Sequence, residues 1–245
     1  MVNVRIIWHS IPEIGYYART STKGEEYDMV IRYVEYLQAK YSKLKRKKVA
    51  IFIEPQIDSG YPDIVVVEYY NPPIDSWKED RLRLNSSDLK ILMQIQLHNS
   101  ISILKLSDLL GFAVTEIKKS VNLLSQCGLI YLSKTGEYAR KVSLKKWCHI
   151  SKVIAIEAKV SKWSEALLQA EHNVWFATDS YIMLKKDVCN QNIYNRCLLD
   201  GIGILLLNGR INEYLTSDHK HFPVSYASIE FNEWIQRMLY LEVLK

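Results

Sequence analysis

The first regular pattern in the chain is a stripe of apolar residues that recurs every three or four positions. Five residues have this spacing: Tyr27, Val30, Val34, Leu37 and Tyr41. The spacing places them on one face of an α-helix over residues 24–41. Two apolar runs rich in β-branched residues follow, at 49–53 and 64–67. Because both runs are apolar at every position, they predict strands that are covered on both faces.

The pattern becomes helical in the middle of the chain. Three helical stripes are spaced along it, at residues 86–98, 107–110 and 116–127. Gly128 then stands where helices commonly end, and residues 129–132 and 138–142 alternate like a hairpin. Three helices followed by a hairpin is the element order of a winged helix-turn-helix, so we predict such a domain at residues 79–147.

Basic residues stand in the third predicted helix and in the predicted wing. They are Lys118, Lys119, Lys134, Arg140 and Lys141. In a winged helix that binds DNA, the third helix enters the major groove and the wing lies along the backbone. These residues are therefore candidate DNA contacts. Two alternatives stay open: they are ordinary solvated charges, or the domain binds protein instead of DNA.

An α/β pattern returns beyond residue 144. Strands are predicted at residues 153–156, 174–177 and 202–207, and helices at 162–170, 190–200 and 230–241. Neither α/β segment alone has enough strands for a covered core, so we expect the two segments to share one mixed sheet. The sequence thus predicts a discontinuous α/β domain over residues 1–78 and 148–245, with the winged helix inserted.

Composition narrows the class of protein. Of the 245 residues, 48% are hydrophobic and 24% charged, as is usual for globular proteins. The longest strongly apolar run, 202–207, is far short of the roughly 20 residues that span a bilayer, and no signal-peptide core is present. The four cysteines form no C-x-x-C pair. We therefore expect a cytoplasmic protein with reduced thiols, without membrane association.

Net charge and nucleotide motifs bear on possible partners. A formal charge of +5 permits a polyanionic partner such as DNA without requiring one. No G-x-x-x-x-G-K-[ST] phosphate loop occurs, so no nucleotide cofactor is expected.

The polar residues with most chemical content flank two of the predicted strands. Asp63 comes directly before the strand at 64–67, and Glu157-Ala158-Lys159 follows the strand at 153–156. Because side chains alternate along a strand, Glu157 and Lys159 share a face. If the two strands pair, the Asp63 carboxylate can meet Glu157. Two carboxylates and the Ala158 carbonyl are hard oxygen ligands, which suit Mg²⁺ or Mn²⁺.

Lys159 adds a cation to these ligands. It can orient or deprotonate a metal-bound water, or stabilise charge that develops on a phosphate. For either segment alone, a surface ion pair between Glu157 and Lys159, with Asp63 as a turn residue, is the simpler interpretation.

Taken together, Pro62-Asp63 and Glu157-Ala158-Lys159 resemble the motif of the PD-(D/E)XK superfamily, the restriction-endonuclease-like phosphodiesterases. The predicted element order is similar to that family's αβββαβ core, and the resemblance covers about 100 residues. It implies metal-dependent hydrolysis of nucleic acid, with Asp63 and Glu157 as metal ligands and Lys159 as the catalytic lysine. The 94 positions from Asp63 to Glu157 exceed the family's usual spacing. The inserted domain accounts for the difference, because a compact domain returns the chain near its entry point.

Further site residues are less strongly indicated. Gln169 lies on the helix after the motif and is a candidate for positioning substrate, or an ordinary surface amide. Glu26 and Glu54 are candidate additional metal ligands, and each also suits a solvated or capping role. The basic run at 43–48 is a candidate phosphate contact or a solvated face.

These patterns predict a Mg²⁺- or Mn²⁺-dependent endodeoxyribonuclease whose winged helix binds DNA. Because one such site cuts one strand, double-strand cleavage favours a homodimer. The alternative is a DNA-binding or assembly protein that has a nuclease-like fold and does not cut. Duplex, single-stranded, branched and RNA substrates all stay open, as does the biological role.

Overall fold

The computed structural model describes residues 3–20, 23–43, 47–74 and 77–244. The chain divides into two compact units. The first, the α/β unit, comprises Met1–Asn71 and Ile150–Val224, and the second, the helical unit, comprises Pro72–His149 and Ser225–Lys245. Each unit is therefore built from two separate stretches of chain.

The elements alternate in type along the chain. The described residues form ten strands: β1 (Val4–Ile7), β2 (Lys48–Ile53), β3 (Ile64–Tyr69), β4 (Ser100–Ser102), β5 (Ile130–Leu132), β6 (Tyr138–Lys141), β7 (Ile150–Lys159), β8 (Asp179–Lys185), β9 (Gly203–Asn208) and β10 (Arg210–Leu215). They also form seven α-helices: α1 (Glu25–Tyr41), α2 (Ser86–His98), α3 (Ile103–Leu110), α4 (Val114–Gln126), α5 (Trp163–Asn173), α6 (Gln191–Asp200) and α7 (Tyr226–Val243).

A mixed sheet forms the centre of the α/β unit. Its strand order is β1-β2-β3-β7-β8-β9-β10. The strands β2, β3 and β7 are antiparallel neighbours, whereas β7, β8 and β9 run parallel. Because β3 and β7 come from different stretches of chain, their pairing joins the two stretches into one sheet. The predicted α/β class, with one mixed sheet shared by both segments, is confirmed.

Helices cover both faces of this sheet, and strand alternation decides which side chain faces which helix. On β8, Tyr181 and Met183 join the apolar cluster under α1, while Ile182 and Leu184 join the cluster under α5 and α6. Strands covered on both faces must be apolar at successive positions. This requirement explains the unbroken apolar runs of β2 and β3, in which every residue is buried.

One predicted strand is wrong. Residues 174–177 form a turn: α5 ends at Asn173, Val174 is its C-cap, and the backbone N–H groups of Phe176 and Ala177 both donate to the Asn173 carbonyl (3.1 and 2.9 Å). Phe176 and Ala177 are buried although they lie in no strand. An apolar run of this length is ambiguous between a strand and a buried turn. The strand that follows, β8, begins at Asp179.

Three helices and a small sheet make up most of the helical unit. The helices α2, α3 and α4 are accompanied by an antiparallel sheet with the order β4-β6-β5. The helix α3 begins at Ile103, four residues before the predicted start at 107. The Ser102 hydroxyl caps it by accepting from the Lys105 N–H at 3.1 Å. The strand β4 has only three residues, too few for an alternation to be seen in the sequence.

The last helix, α7, belongs to the helical unit, whereas the prediction grouped residues 148–245 with the α/β domain. Its Glu233 carboxylate pairs with Arg81 at 2.6 Å, and both side chains are buried. Its Gln236 side chain donates to the Trp147 carbonyl at 2.7 Å. A buried charged side chain needs a partner of opposite charge nearby. The partners of Glu233 and Gln236 both lie in the helical unit. The sequence pattern showed the apolar stripe of this helix and gave no sign of its polar partners.

Two further observations concern the class of protein. Among the described residues, no helix has the length and apolar character needed to cross a membrane. The four cysteines, Cys127, Cys148, Cys189 and Cys197, all lie in the described part of the chain and form no disulfide bond.

Candidate active site

Antiparallel pairing brings Asp63 and Glu157 to one edge of the sheet. In the register of β3 and β7, Ile64 lies opposite Ile156, so the residue before β3 lies beside the residue after Ile156. Antiparallel strands run in opposite directions, so the start of β3 and the end of β7 share an edge. Two residues 94 positions apart in sequence thereby become neighbours.

A tight turn fixes the chain just before Asp63. Ile57 and Gly60 exchange two backbone hydrogen bonds of 3.0 Å. Gly60 has φ +129°, a conformation that residues with a Cβ rarely adopt. The Glu54 N–H, at the end of β2, then donates to the Asp63 carbonyl at 3.1 Å. The backbone of Asp63 is thus held from two sides before β3 begins.

The Asp63 carboxylate contacts the end of β7 directly. Its Oδ2 accepts from the Ala158 N–H at 2.7 Å and lies 3.7 Å from Lys159 Nζ. Lys159 Nζ also donates to the Ala158 carbonyl at 3.2 Å and lies 3.4 Å from Glu26 Oε2. The Lys159 ammonium therefore lies between two carboxylates, that of Asp63 just before β3 and that of Glu26 on α1.

Glu157 is the most deeply buried charged residue of the site, with 2% of its surface exposed. Its Oε1 accepts from Asn173 Nδ2 at 2.7 Å. Its Oε2 is buried and has no hydrogen-bond partner. A buried carboxylate oxygen without a donor is energetically costly in a folded protein, so this atom calls for an explanation.

Burial and crowding of like charges shift the pKa values of the site. Burial raises the pKa of Glu157 to about 8, and the neighbouring Asp63 charge adds to the effect. Burial also raises the pKa of Asp63, although Lys159 and the Ala158 N–H oppose the shift. Burial disfavours the charged form of Lys159, but Asp63, Glu26 and Glu157 outweigh burial and raise its pKa. Lys159 is therefore a cation at neutral pH.

These residues line a cleft of about 540 Å³ in the α/β unit. Five residues that the sequence indicated line this cleft: Glu26, Asp63, Glu157, Lys159 and Gln169. Residues that the sequence did not indicate line it too: Arg19, Tyr61, Lys162, Glu165, His172 and Asn173. Comparison with protein-family models, with curated proteins and with solved structures finds no match.

Glu54 lies close to this site, with its side chain held by a different partner. Its carboxylate forms a short ion pair with Arg19, whose guanidinium lies 5.4 Å from the centre of the Tyr61 ring. The Glu54 charge still contributes to the raised pKa of Asp63. The Glu54 carboxylate is therefore paired with Arg19, and its negative charge affects the protonation of Asp63.

The sequence missed Asn173, which forms the hydrogen bond to Glu157. The predicted helix stops at residue 170, whereas α5 continues to Asn173. Asn173 lies four residues after Gln169, so the two share a helix face. A helix predicted to continue to residue 173 would have placed Asn173 and Gln169 on one face. The apolar residues 174–177 were instead predicted as a strand, so the helix was ended too early.

The donor set fits a hard divalent cation. Within the described part of the chain, no three His, Cys, Asp or Glu side chains are gathered to hold a metal ion. Mg²⁺ is commonly bound by only one or two carboxylates, with water and substrate phosphate completing its shell. The Asp63 and Glu157 carboxylates with the Ala158 carbonyl match that description. The unpartnered Oε2 of Glu157 is the atom a cation would satisfy.

The basic residues indicated by the sequence lie elsewhere. Residues 44–46 of the basic run fall outside the described part of the chain, and Lys47 pairs with Glu68 at 2.6 Å. The five basic residues of the predicted third helix and wing are exposed on α4, on the β5–β6 turn and on β6: Lys118, Lys119, Lys134, Arg140 and Lys141.

The raised pKa of Glu157 predicts how stability depends on pH without metal. Between the ordinary pKa near 4.5 and the folded value of about 8, the folded protein keeps a proton that the unfolded chain releases. The free energy of unfolding should therefore fall as pH rises through this window, by up to about 1.4 kcal/mol per pH unit. Glu157→Gln should flatten this slope in urea titrations at pH 5 to 8 with a chelator.

The matched control is Glu165→Gln, because Glu165 lines the same cleft but its side chain is 55% exposed. That variant should keep the slope of the wild type. Equal slopes for the wild type and Glu157→Gln would contradict the assignment of the raised pKa to Glu157.

Proposed function

We propose that this protein is a Mg²⁺- or Mn²⁺-dependent nuclease that hydrolyses phosphodiester bonds of DNA. The observation that carries the proposal is the joining of Asp63, Glu157 and Lys159 at one sheet edge, by the pairing of β3 with β7. The two carboxylates and the lysine line one cleft, and the Ala158 carbonyl accepts from Lys159 Nζ at 3.2 Å. Carboxylates, a carbonyl and a lysine so close together suit phosphoryl chemistry.

The order of elements supports the same proposal. Helix α1 is followed by the antiparallel strands β2, β3 and β7, then by α5 and by β8, which is parallel to β7. With the elements between β3 and β7 set aside as an insertion, this order is similar to the αβββαβ core of restriction-endonuclease-like proteins. The helices α2 to α4 with the β5–β6 hairpin have the order of a winged helix-turn-helix. We propose that this module supplies DNA affinity.

In this proposal Lys159 acts as a cation. The carboxylates of Asp63, Glu26 and Glu157 raise its pKa in the metal-free site, which favours the ammonium form. It can donate hydrogen bonds to a phosphate oxygen and stabilise the negative charge that develops there. Glu157 and Asp63 would hold the metal ion together with the Ala158 carbonyl. When bound, such an ion polarises the phosphate and lowers the pKa of a coordinated water.

Cleavage assays test the proposal. Labelled linear duplex, single strand, flap, four-way junction and RNA would be incubated in Mg²⁺ and in Mn²⁺. We expect metal-dependent cutting of at least one substrate, and a loss of at least about 10²-fold in Asp63→Ala and in Lys159→Ala. Lys185→Ala is the control, because Lys185 is also an ion-paired lysine of the sheet, bonded to Glu25 at 2.8 Å.

Two outcomes would overturn the nuclease proposal. Cutting that survives in both Asp63→Ala and Lys159→Ala would place the activity elsewhere or in a contaminant. Absence of cutting with tight duplex binding would favour the alternative, a DNA-binding or assembly protein with a nuclease-like fold.

The helical unit generates a separate prediction about DNA binding. Each protein cation that contacts a phosphate contributes about 0.9 to the slope of log affinity against log salt concentration. If α4 contacts DNA, Lys118→Ala/Lys119→Ala should weaken binding and lower this slope by up to about 2. The control double variant is Lys145→Ala/Lys146→Ala, which removes two exposed lysines outside the helix and the hairpin. Equal slopes for the two double variants would argue against contact through α4.

A homodimer is part of the proposal for double-strand cleavage, since one site cuts one strand. Sedimentation at micromolar protein should show a dimer when duplex DNA is present. A monomer both with and without DNA would contradict this part of the proposal and leave single-strand cleavage as the activity.

A further inference from the structure

Asn173 is a polar residue that is almost fully buried at the end of a helix. It is the last residue of α5, and only 4% of its surface is exposed. Its backbone carbonyl accepts from Phe176 and Ala177, which fixes the turn after the helix. Its side chain has a different partner: Nδ2 donates to Glu157 Oε1 at 2.7 Å. The hydrogen bond links α5 to the end of β7.

We propose that Asn173 is a positioning residue that holds Glu157 so that its second oxygen binds the divalent cation. The hydrogen bond takes up Oε1 and leaves Oε2, which accepts no hydrogen bond, as the oxygen available to a cation. This inference rests on the proposed metal-dependent function and adds a residue to it.

The arrangement around Asp63 supports this role. There the Ala158 N–H donates to Oδ2 at 2.7 Å. Each carboxylate of the site thus accepts from a neutral N–H donor on one oxygen, and Asp63 Oδ2 also lies 3.7 Å from the Lys159 ammonium, whereas the hydrogen bond to Glu157 comes from Asn173. A neutral donor fixes the orientation of a carboxylate without cancelling the charge that attracts a cation. Groups that orient metal ligands in this way typically contribute 10- to 100-fold to metal affinity.

The test measures Mn²⁺ affinity of the full-length protein, using the electron paramagnetic resonance signal of free Mn²⁺. Asn173→Ala should raise the dissociation constant at least about 10-fold. Asn173→Leu keeps the side-chain branch at Cγ and leaves no cavity but has no donor, so it should have the same effect if Asn173→Ala proves poorly folded. Asn195→Ala is the control, because Asn195 is exposed on α6 and bonds only to Gln191 in the structure as described.

Urea denaturation in chelator is measured beside each titration, and affinities are compared at a temperature at which every variant is folded. A 10-fold or greater loss of affinity in both Asn173 variants, with Asn195→Ala unchanged, supports the positioning role. Wild-type affinity in a folded Asn173 variant overturns it and leaves the nuclease proposal intact. If the wild type binds no Mn²⁺ and cuts no substrate, the proposed function fails, and this inference fails with it.

Discussion

The pairing of β3 with β7 is the interaction on which the α/β unit and its candidate site both depend. It joins two stretches of chain that are far apart in sequence. Fully buried residues such as Val65, Val66 and Val153 line it, and burying each apolar side chain of this size contributes about 1.5–3 kcal/mol. The apolar contacts therefore stabilise the pairing strongly, but they do not choose its register.

Register needs a different explanation, because these strands are covered on both faces. A slip by one residue usually moves an apolar set from the core to solvent, yet here both faces are core. Polar contacts at the two ends of β3 supply the discrimination. At one end Asp63 accepts from the Ala158 N–H. At the other, the Ser151 hydroxyl of β7 donates to the Glu68 carbonyl at 3.3 Å, and Lys152 lies opposite Glu68. A shifted register of β7 would take the Ala158 N–H away from the Asp63 carboxylate, and a partly buried carboxylate that loses its donor costs free energy.

The sequence predicted the regular elements well where one periodicity ran without interruption. The stripe of α1 and the apolar runs of β2 and β3 have the predicted type and nearly the predicted bounds. The sequence-based prediction failed where contacts with distant parts of the chain decide which secondary structure a segment adopts. Residues 174–177 are apolar enough for a strand, but two hydrogen bonds to the Asn173 carbonyl hold them in a turn. The polar partners of α7 are distant in sequence, as Arg81 is 152 positions from Glu233, and they leave no local pattern.

The same distinction applies to the candidate site. The proximity of Asp63, Glu157 and Lys159 follows from strand alternation and from one assumed pairing, so it could be predicted. The burial that raises the pKa of Glu157, and the Asn173 donor that holds it, depend on how α5 packs against β7. Neither can be read from a spacing. Burial makes a bare carboxylate costly, and Asn173 satisfies only one of its two oxygens. The raised pKa of Glu157 means that this carboxyl carries a proton at neutral pH in the metal-free protein, so a cation that binds the remaining oxygen would have to displace that proton.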